Sequence, residues 1–170
     1  MKKILLVAAI LCGAAAGSFA QTSTPTQGSG KFSIGVEAGL PVGSTSDYSN
    51  FAIGGSLKYE LPVAATTFVS LSAGYTDLLY KSDLKAAIGK SGAGFIPVKA
   101  GLKYYFNEGF YGEGQVGAVF STESGGGTAF AYAPGIGYSF SGGFDAGVRY
   151  EGWSHDGTVS QVALRLAYRF

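Results

Sequence analysis

The chain has 170 residues, which suits a single domain, and its composition departs from that of an ordinary soluble protein. Glycine accounts for 28 residues and aromatic residues for 14%, and the mean hydropathy is +0.22. Charged residues make up only 14%, against about 25% in a typical globular chain. A formal net charge of +1 argues against nucleic acid as a partner, because nucleic-acid-binding proteins carry a strongly basic surface.

The first twenty residues have the pattern of an export signal. Two lysines precede a short apolar run, Ile4–Leu11, and small residues end the segment at Ala20. We expect residues 1–20 to be a signal peptide that is cleaved after Ala20. The apolar run is too short to cross a membrane as a helix. Cys12 lies inside this segment, so the mature chain would contain neither a cysteine nor a disulfide.

Residues 21–30 (QTSTPTQGSG) are small and polar without periodicity, which predicts a flexible periplasmic leader. Beyond them, apolar and polar residues alternate in eight segments. A period of two is the pattern of a strand with one apolar and one polar face. The predicted strands are Lys31–Pro41, Asn50–Leu61, Thr67–Tyr75, Phe95–Phe106, Phe110–Phe120, Ala129–Phe140, Gly143–Trp153 and Ser160–Phe170.

The connections between these strands alternate in length. Gaps one, three, five and seven are longer, with residues 76–94 the longest, whereas gaps two, four and six are short turns. This alternation is typical of an up-and-down barrel whose two termini face the periplasm. Because proline cannot donate a ladder hydrogen bond, we expect β-bulges at Pro97 and Pro134. The predicted fold is all-β: an eight-stranded antiparallel up-and-down transmembrane β-barrel over residues 31–170.

Aromatic residues on the apolar face mark both ends of the predicted strands, as expected for girdles at two membrane interfaces. One group lies at the ends joined by short turns: Phe32, Tyr59, Phe106, Phe110, Phe140, Phe144 and Phe170. The other group lies at the opposite ends: Phe51, Tyr75, Phe120, Phe130 and Tyr150. A closed barrel in lipid would also pair every backbone polar group without leaving a strand edge.

With these strands and the terminal sequence LRLAYRF, residues 31–170 resemble the small outer membrane protein β-barrel family, the OmpA/OmpX-like eight-stranded barrels. The resemblance implies a monomer in the outer membrane of a Gram-negative bacterium, in contact with outer-membrane lipid. It also implies that Tyr168 and Phe170 form part of the signal read by the outer-membrane barrel assembly machinery.

If the apolar face meets lipid, the polar face lines the barrel. Eight strands enclose a lumen that side chains can fill, and charges confined there must pair or keep water. Five acids and six bases have inward parity, which predicts an interior plugged by an ion-pair network. The predicted network is Glu37, Lys58, Glu60, Lys99, Lys103, Glu113, Asp145, Arg149, Glu151, Arg165 and Arg169.

These features predict a protein with no cofactor, metal site or catalytic activity, which serves a structural or surface-interaction role through its external loops. Loop 76–94 is the candidate for contact with an external partner, since Leu78–Ile88 has an amphipathic character. The same residues would equally serve to cover the barrel mouth.

Three other interpretations are open from the sequence. A narrow porin-like pore for small solutes or ions would require the lumen to open. A secreted soluble barrel would turn the apolar face inward around a ligand. An enzyme acting on lipid would use Ser154-His155-Asp156, although a turn at Asp156-Gly157 explains that segment without catalysis.

Overall fold

The computed structural model describes residues 29–123 and 125–170, which form a closed barrel of eight antiparallel strands. Every strand pairs with its neighbours in sequence, and the first pairs with the last, which confirms the predicted all-β up-and-down architecture. The predicted signal peptide and nearly all of the predicted leader lie outside the described residues. The strands are β1 (Lys31–Val42), β2 (Ser49–Pro62), β3 (Thr67–Tyr80), β4 (Gly92–Tyr105), β5 (Phe110–Ser121), β6 (Thr128–Ser139), β7 (Phe144–Ser154) and β8 (Thr158–Arg169).

The pairing registers set the tilt of the strands. A path from Phe32 through paired residues on all eight strands returns to β1 at Val42, ten residues further along. A shear of ten in an eight-stranded barrel corresponds to strands tilted by about 40° from the barrel axis. The strands, 11 to 14 residues long, therefore suffice to cross the apolar layer of an outer membrane.

The outer surface of the barrel is apolar. Side chains on the outward face include Val36, 66% exposed, Leu102, 60% exposed, and Phe144, 63% exposed. The inward face carries charged and hydroxyl side chains, most of which are buried, among them Lys103, Glu151 and Arg165. A soluble barrel with an apolar interior requires the opposite arrangement, so that interpretation is wrong. The part of the chain that the structure describes contains no helix long and apolar enough to cross a membrane.

Aromatic side chains ring the outer surface at both ends, as predicted. At the end formed by connections 63–66, 106–109 and 140–143, hereafter the turn end, Phe106 packs on Phe110 and Phe144 on Tyr168. Tyr168 also contacts Phe170, with ring centroids 5.2 Å apart. At the other end, hereafter the loop end, the exposed rings include Tyr75, Phe120, Phe130 and Tyr150.

The structure corrects three local predictions. Pairing through Pro97 and Pro134 keeps a constant register, so neither proline forms a bulge; the register shift in the described strands lies between Ser49 and Phe51. The predicted 76–94 loop is shortened to residues 81–91, because β3 and β4 extend beyond their predicted ends. Within it, α1 (Ser82–Ile88) covers only part of the predicted amphipathic stretch, since residues 78–80 belong to β3.

Candidate functional site

The interior near the turn end holds a first cluster of ion pairs, the lower cluster (Lys58, Glu60, Lys103, Glu113 and Asp145). Lys103 Nζ lies 2.9 Å from Glu60 Oε1 and 3.2 Å from Asp145 Oδ2. Lys58 Nζ lies 2.5 Å from Glu113 Oε2 and 4.0 Å from Glu60 Oε1. Side chains from β2, β4, β5 and β7 therefore meet across the lumen, and Lys103 is fully buried.

Aromatic and hydroxyl groups complete the surroundings of Lys103. Its ammonium lies 3.7 Å from the ring centroid of Tyr111, a cation–π distance. The Tyr111 hydroxyl donates to Asp145 Oδ1 at 2.8 Å, and Ser139 Oγ donates to Asp145 Oδ2 at 2.7 Å. Asp145 thus accepts from three side chains, which compensates for the water that this carboxylate has lost.

A second cluster, the upper cluster (Glu37, Lys99, Arg149, Glu151 and Arg165), lies further toward the loop end. Arg149 joins its two acids, with Nη2 at 2.6 Å from Glu37 Oε2 and Nε at 2.7 Å from Glu151 Oε2. Lys99 Nζ lies 2.7 Å from Glu151 Oε1, and Arg165 Nε lies 3.6 Å from Glu37 Oε1. The planar guanidinium of Arg149 is what allows one cation to hold two carboxylates.

The two clusters carry opposite charge excesses. The lower cluster has three acids and two bases, and the upper cluster has two acids and three bases, so together they are neutral. Neutral polar side chains lie between them: Gln115 Nε2 donates to Ser70 Oγ at 3.4 Å and to Ser72 Oγ at 3.2 Å. Ser70 in turn donates to Glu113 Oε1 at 2.7 Å. Charge balance is thus reached by the two clusters together, and neither cluster is neutral alone.

The structure places ten of the eleven predicted network residues in ion pairs. Arg169 differs, because it donates from Nη1 to the Tyr105 hydroxyl at 3.1 Å and forms no ion pair among the described residues. Its Nε has no hydrogen-bond acceptor within residues 29–123 and 125–170. Arg169 is the last paired residue of β8 at the turn end. The nearby acid Asp145 already binds Lys103, Tyr111 and Ser139.

Two small cavities remain between the clusters. Their volumes are about 20 Å³ and 10 Å³, and Lys58, Gln115, Arg149 and Arg165 line both of them. A single water molecule requires roughly 10–15 Å³ of such space. The charged interior is therefore filled by side chains, with room for about one water at each of the two positions.

Sequence reasoning missed an apolar layer on the inward face near the loop end. Trp153 lies there with its indole Nε1 donating to Glu151 Oε1 at 2.9 Å, and its ring packs on Phe95 with centroids 4.9 Å apart. The sequence does indicate this layer, because its members are apolar residues with inward parity in the half of each strand nearer the loop end. The apolar layer comprises Ala52, Leu78, Val119, Ala131 and Trp153.

The external loops are tied to one another and to the barrel. Lys90 from the β3–β4 loop forms an ion pair with Glu123 from the β5–β6 loop, and this hydrogen bond raises the pKa of Lys90 above its ordinary value. Thr45 is buried and its hydroxyl accepts from the backbone N–H of Ser160 at 2.9 Å. These contacts fix the β1–β2 connection and join the two middle loops.

The Ser154-His155-Asp156 segment forms a turn. The His155 backbone N–H donates to Gly157 O at 2.9 Å, which agrees with the turn predicted at Asp156-Gly157. His155 Nε2 lies 3.5 Å from Asp156 Oδ2, and both side chains are more than half exposed. A catalytic histidine would need a converging nucleophile and a partner that orients the ring in a site protected from water.

Neither a protein-family model nor a curated protein sequence matches the chain. Several solved structures are similar to the chain. Ail, the attachment invasion locus protein of Yersinia pestis, is similar over 83% of this chain and 97% of its own, with 22% identity and a TM-score of 0.61. The outer membrane enzyme PagL is similar over 80% and 98%, with 15% identity and a TM-score of 0.58.

The N-terminal β-barrel domain of Pseudomonas aeruginosa OprF is similar over 84% of this chain and 100% of its own, with 17% identity and a TM-score of 0.50. One of these proteins is an enzyme and another is an attachment invasion locus protein, and all are less than 25% identical to this chain, so the likeness concerns the fold. The chain accordingly has the fold of the small eight-stranded outer-membrane β-barrels.

Proposed function

We propose that this protein is a non-conducting barrel of the Gram-negative outer membrane that serves a structural or surface-interaction role through its external loops. The observation that carries the proposal is the filled lumen. Ten charged side chains cross-link the strands inside the barrel, and the cavities among them hold about one water each. Ions would have to displace buried, charge-assisted hydrogen bonds to pass.

A filled interior also supports a structural role directly. Ion pairs such as Lys58–Glu113 and Arg149–Glu37 connect strands that are not neighbours in the sheet. Cross-links of this kind hold the circular cross-section of the barrel, while the outer face needs only to match lipid. The loops then remain the part of the molecule that is free to contact other molecules.

Conductance measurement in planar lipid bilayers tests this proposal. We expect no steady single-channel conductance from the purified, folded protein at any moderate voltage. Arg149→Gln combined with Trp153→Ala, which weakens the charged clusters and also opens the apolar layer at the loop end, should produce openings if the filled lumen is the plug. Steady conductance of the unaltered protein would favour the alternative function, a narrow pore for small solutes or ions.

The proposed location rests on the fold and on the lipid-compatible outer surface. Fractionation of the native host, with extraction by detergent and heat-modifiable gel mobility, tests it. Recovery of the folded protein in the soluble fraction without detergent would contradict the membrane assignment. A monomer is expected, which cross-linking in the intact membrane would check.

We further propose that the protein is not an enzyme. The fold is shared with the outer membrane enzyme PagL, so the fold alone does not decide the matter. Support comes from the exposed His155-Asp156 turn. Assay of His155→Ala for any change in the lipid composition of the outer membrane tests it, since a catalytic histidine would alter that composition.

A further inference from the structure

The loop end of the barrel contains a cleft above the apolar layer. Its volume is about 390 Å³, within the range of pockets for small molecules, and barrel mouths are a common place for such pockets. The cleft is distinct from the charged interior, because the apolar layer lies between the two. A ligand entering from the loop end would reach a closed floor.

The floor of the cleft is apolar and rigid. Trp153 and Val119 are buried in it, and Phe95, Ala129 and Val159 pack against them and are partly exposed. The Trp153 ring is held in place by its hydrogen bond to Glu151, which is itself bound by Lys99 and Arg149. Burial of an apolar ligand surface here would remove water from both sides at little cost in reorganisation.

The walls carry neutral hydrogen-bonding groups. The residues that line the cleft around its floor include Tyr48, Ser121, Thr128 and Thr158, each of which carries a hydroxyl, and His155 stands on one side. Lysine and arginine are missing from this lining, within the described residues, and its one acid, Asp156, is almost fully exposed. An organic anion would therefore find no fixed cation, and a cation would find no buried carboxylate facing it.

The walls are also preformed. The Ser121 N–H donates to Gly127 O at 3.1 Å across the base of one loop, and the turn at His155 is closed by Gly157 O. A Cβ on Gly127 would lie 3.0 Å from His155 Nε2, so these two loops touch. The backbone of Tyr48 accepts from the Lys81 N–H at 3.0 Å, which ties the remaining wall to the loop that contains α1.

From this geometry we propose that the cleft is a binding site for a small, uncharged, amphipathic molecule with an aromatic or short aliphatic body and a hydroxyl-type polar group. The body lies on Phe95 and Ala129, and the polar group meets the hydroxyls of the wall. The apolar layer makes the site blind, so the molecule binds without passing through the barrel. The site does not depend on whether the interior conducts. Access from outside the cell rests on the proposed function, in which the loops are external.

Trp153, the one tryptophan of the chain, reports on this site by fluorescence. The full mature chain in discs of phospholipid bilayer is titrated with 4-nitrobenzyl alcohol, an uncharged quencher of the proposed class. The matched anion is 4-nitrobenzoate. We expect saturable quenching by the alcohol and binding of the anion at least about tenfold weaker, a difference of about 1.4 kcal/mol.

Two variants fill the cleft from its floor. Ala129→Phe and Val159→Phe, at partly exposed positions on the inward face of two different strands, should each weaken binding of the alcohol at least about tenfold. The control is Ala73→Phe, which adds the same ring on the lipid-facing side of β3 and should leave binding unchanged.

Three outcomes overturn the proposal. Linear quenching that is equal in all variants would mean that the probe only dissolves in lipid. Equal saturation by the anion would contradict the uncharged class. Saturation that appears only when residues 124–126 are deleted would mean that the β5–β6 loop itself occupies the cleft. The outcome is separable from the conductance result, because a plugged or an open interior leaves the Trp153 signal defined.

Discussion

Lys103 is the position at which the buried charge network is most sensitive to a single change. Its ammonium is fully buried and bonds Glu60 at 2.9 Å and Asp145 at 3.2 Å. Lys103→Met preserves much of the side-chain volume and removes the charge, which leaves the lower cluster with three acids and one base. Removal of one partner from a buried ion pair costs about 3–5 kcal/mol, because the remaining charge stays buried.

The structure indicates which acid suffers most. Asp145 keeps its hydrogen bonds from Tyr111 and Ser139. Glu60 has no comparable replacement: Lys58 lies 4.0 Å from Oε1, and Oε2 has no hydrogen-bond partner among the described residues. We therefore expect a loss of about 3 kcal/mol in Lys103→Met, and recovery of about half of it in Lys103→Met/Glu60→Gln.

The assay is equilibrium unfolding by urea in detergent micelles, followed by Trp153 fluorescence and by gel mobility without heating. The matched control is Lys85→Met on α1, since Lys85 is exposed and its loss should change the free energy of unfolding by less than about 0.5 kcal/mol. A loss below about 1 kcal/mol in Lys103→Met, or a double variant no more stable than the single one, would refute the reasoning.

The remaining predictions concern the outer surface. Deletion of Phe170, whose ring is 72% exposed and packs on Tyr168, should reduce the amount of folded protein in the membrane; normal levels by immunoblot would contradict an assembly role. Gly152→Ala should lower the free energy of unfolding by about 1 kcal/mol, because the new Cβ would lie 2.3 Å from the Tyr132 ring. Gly114→Ala, where nothing lies within 4 Å, is its control and should be neutral or slightly stabilising; equal losses would show that ring contact is not the cause.

The strands were predictable because the two faces of each strand meet different surroundings. Residues such as Val36 and Glu37 must separate into lipid and lumen, and a period of two follows directly. The same parity placed all eleven charged residues on the inward face. The prediction of β-bulges at Pro97 and Pro134 was wrong, because the β-ladder keeps its register there although proline lacks an N–H donor.

The sequence did not indicate which acid forms an ion pair with which base inside the barrel. Arg149 pairs with Glu37, 112 positions away, and Lys58 with Glu113, 55 positions away. Both pairings depend on the shear of the barrel, which sets the height of each side chain along the axis. Strand parity predicts that Arg169 points inward, whereas its height along the barrel axis brings it to Tyr105 and, among the residues that the structure describes, to no carboxylate. The apolar layer was not predicted, because inward-facing positions were expected to be polar along the whole length of each strand.

The division of the lumen into a charged part and an apolar part has a physical consequence for any function of this barrel. An ion that crossed the charged clusters would next meet Trp153, Leu78 and Val119, where it would lose solvation and gain no partner. A neutral molecule would cross the apolar layer more easily and then meet Arg149 and Glu151, already satisfied by each other. The two parts therefore oppose passage for different physical reasons, so the combination is a stronger barrier than a uniform plug. Substitutions that open one part alone, such as Trp153→Ala, should leave the barrel non-conducting.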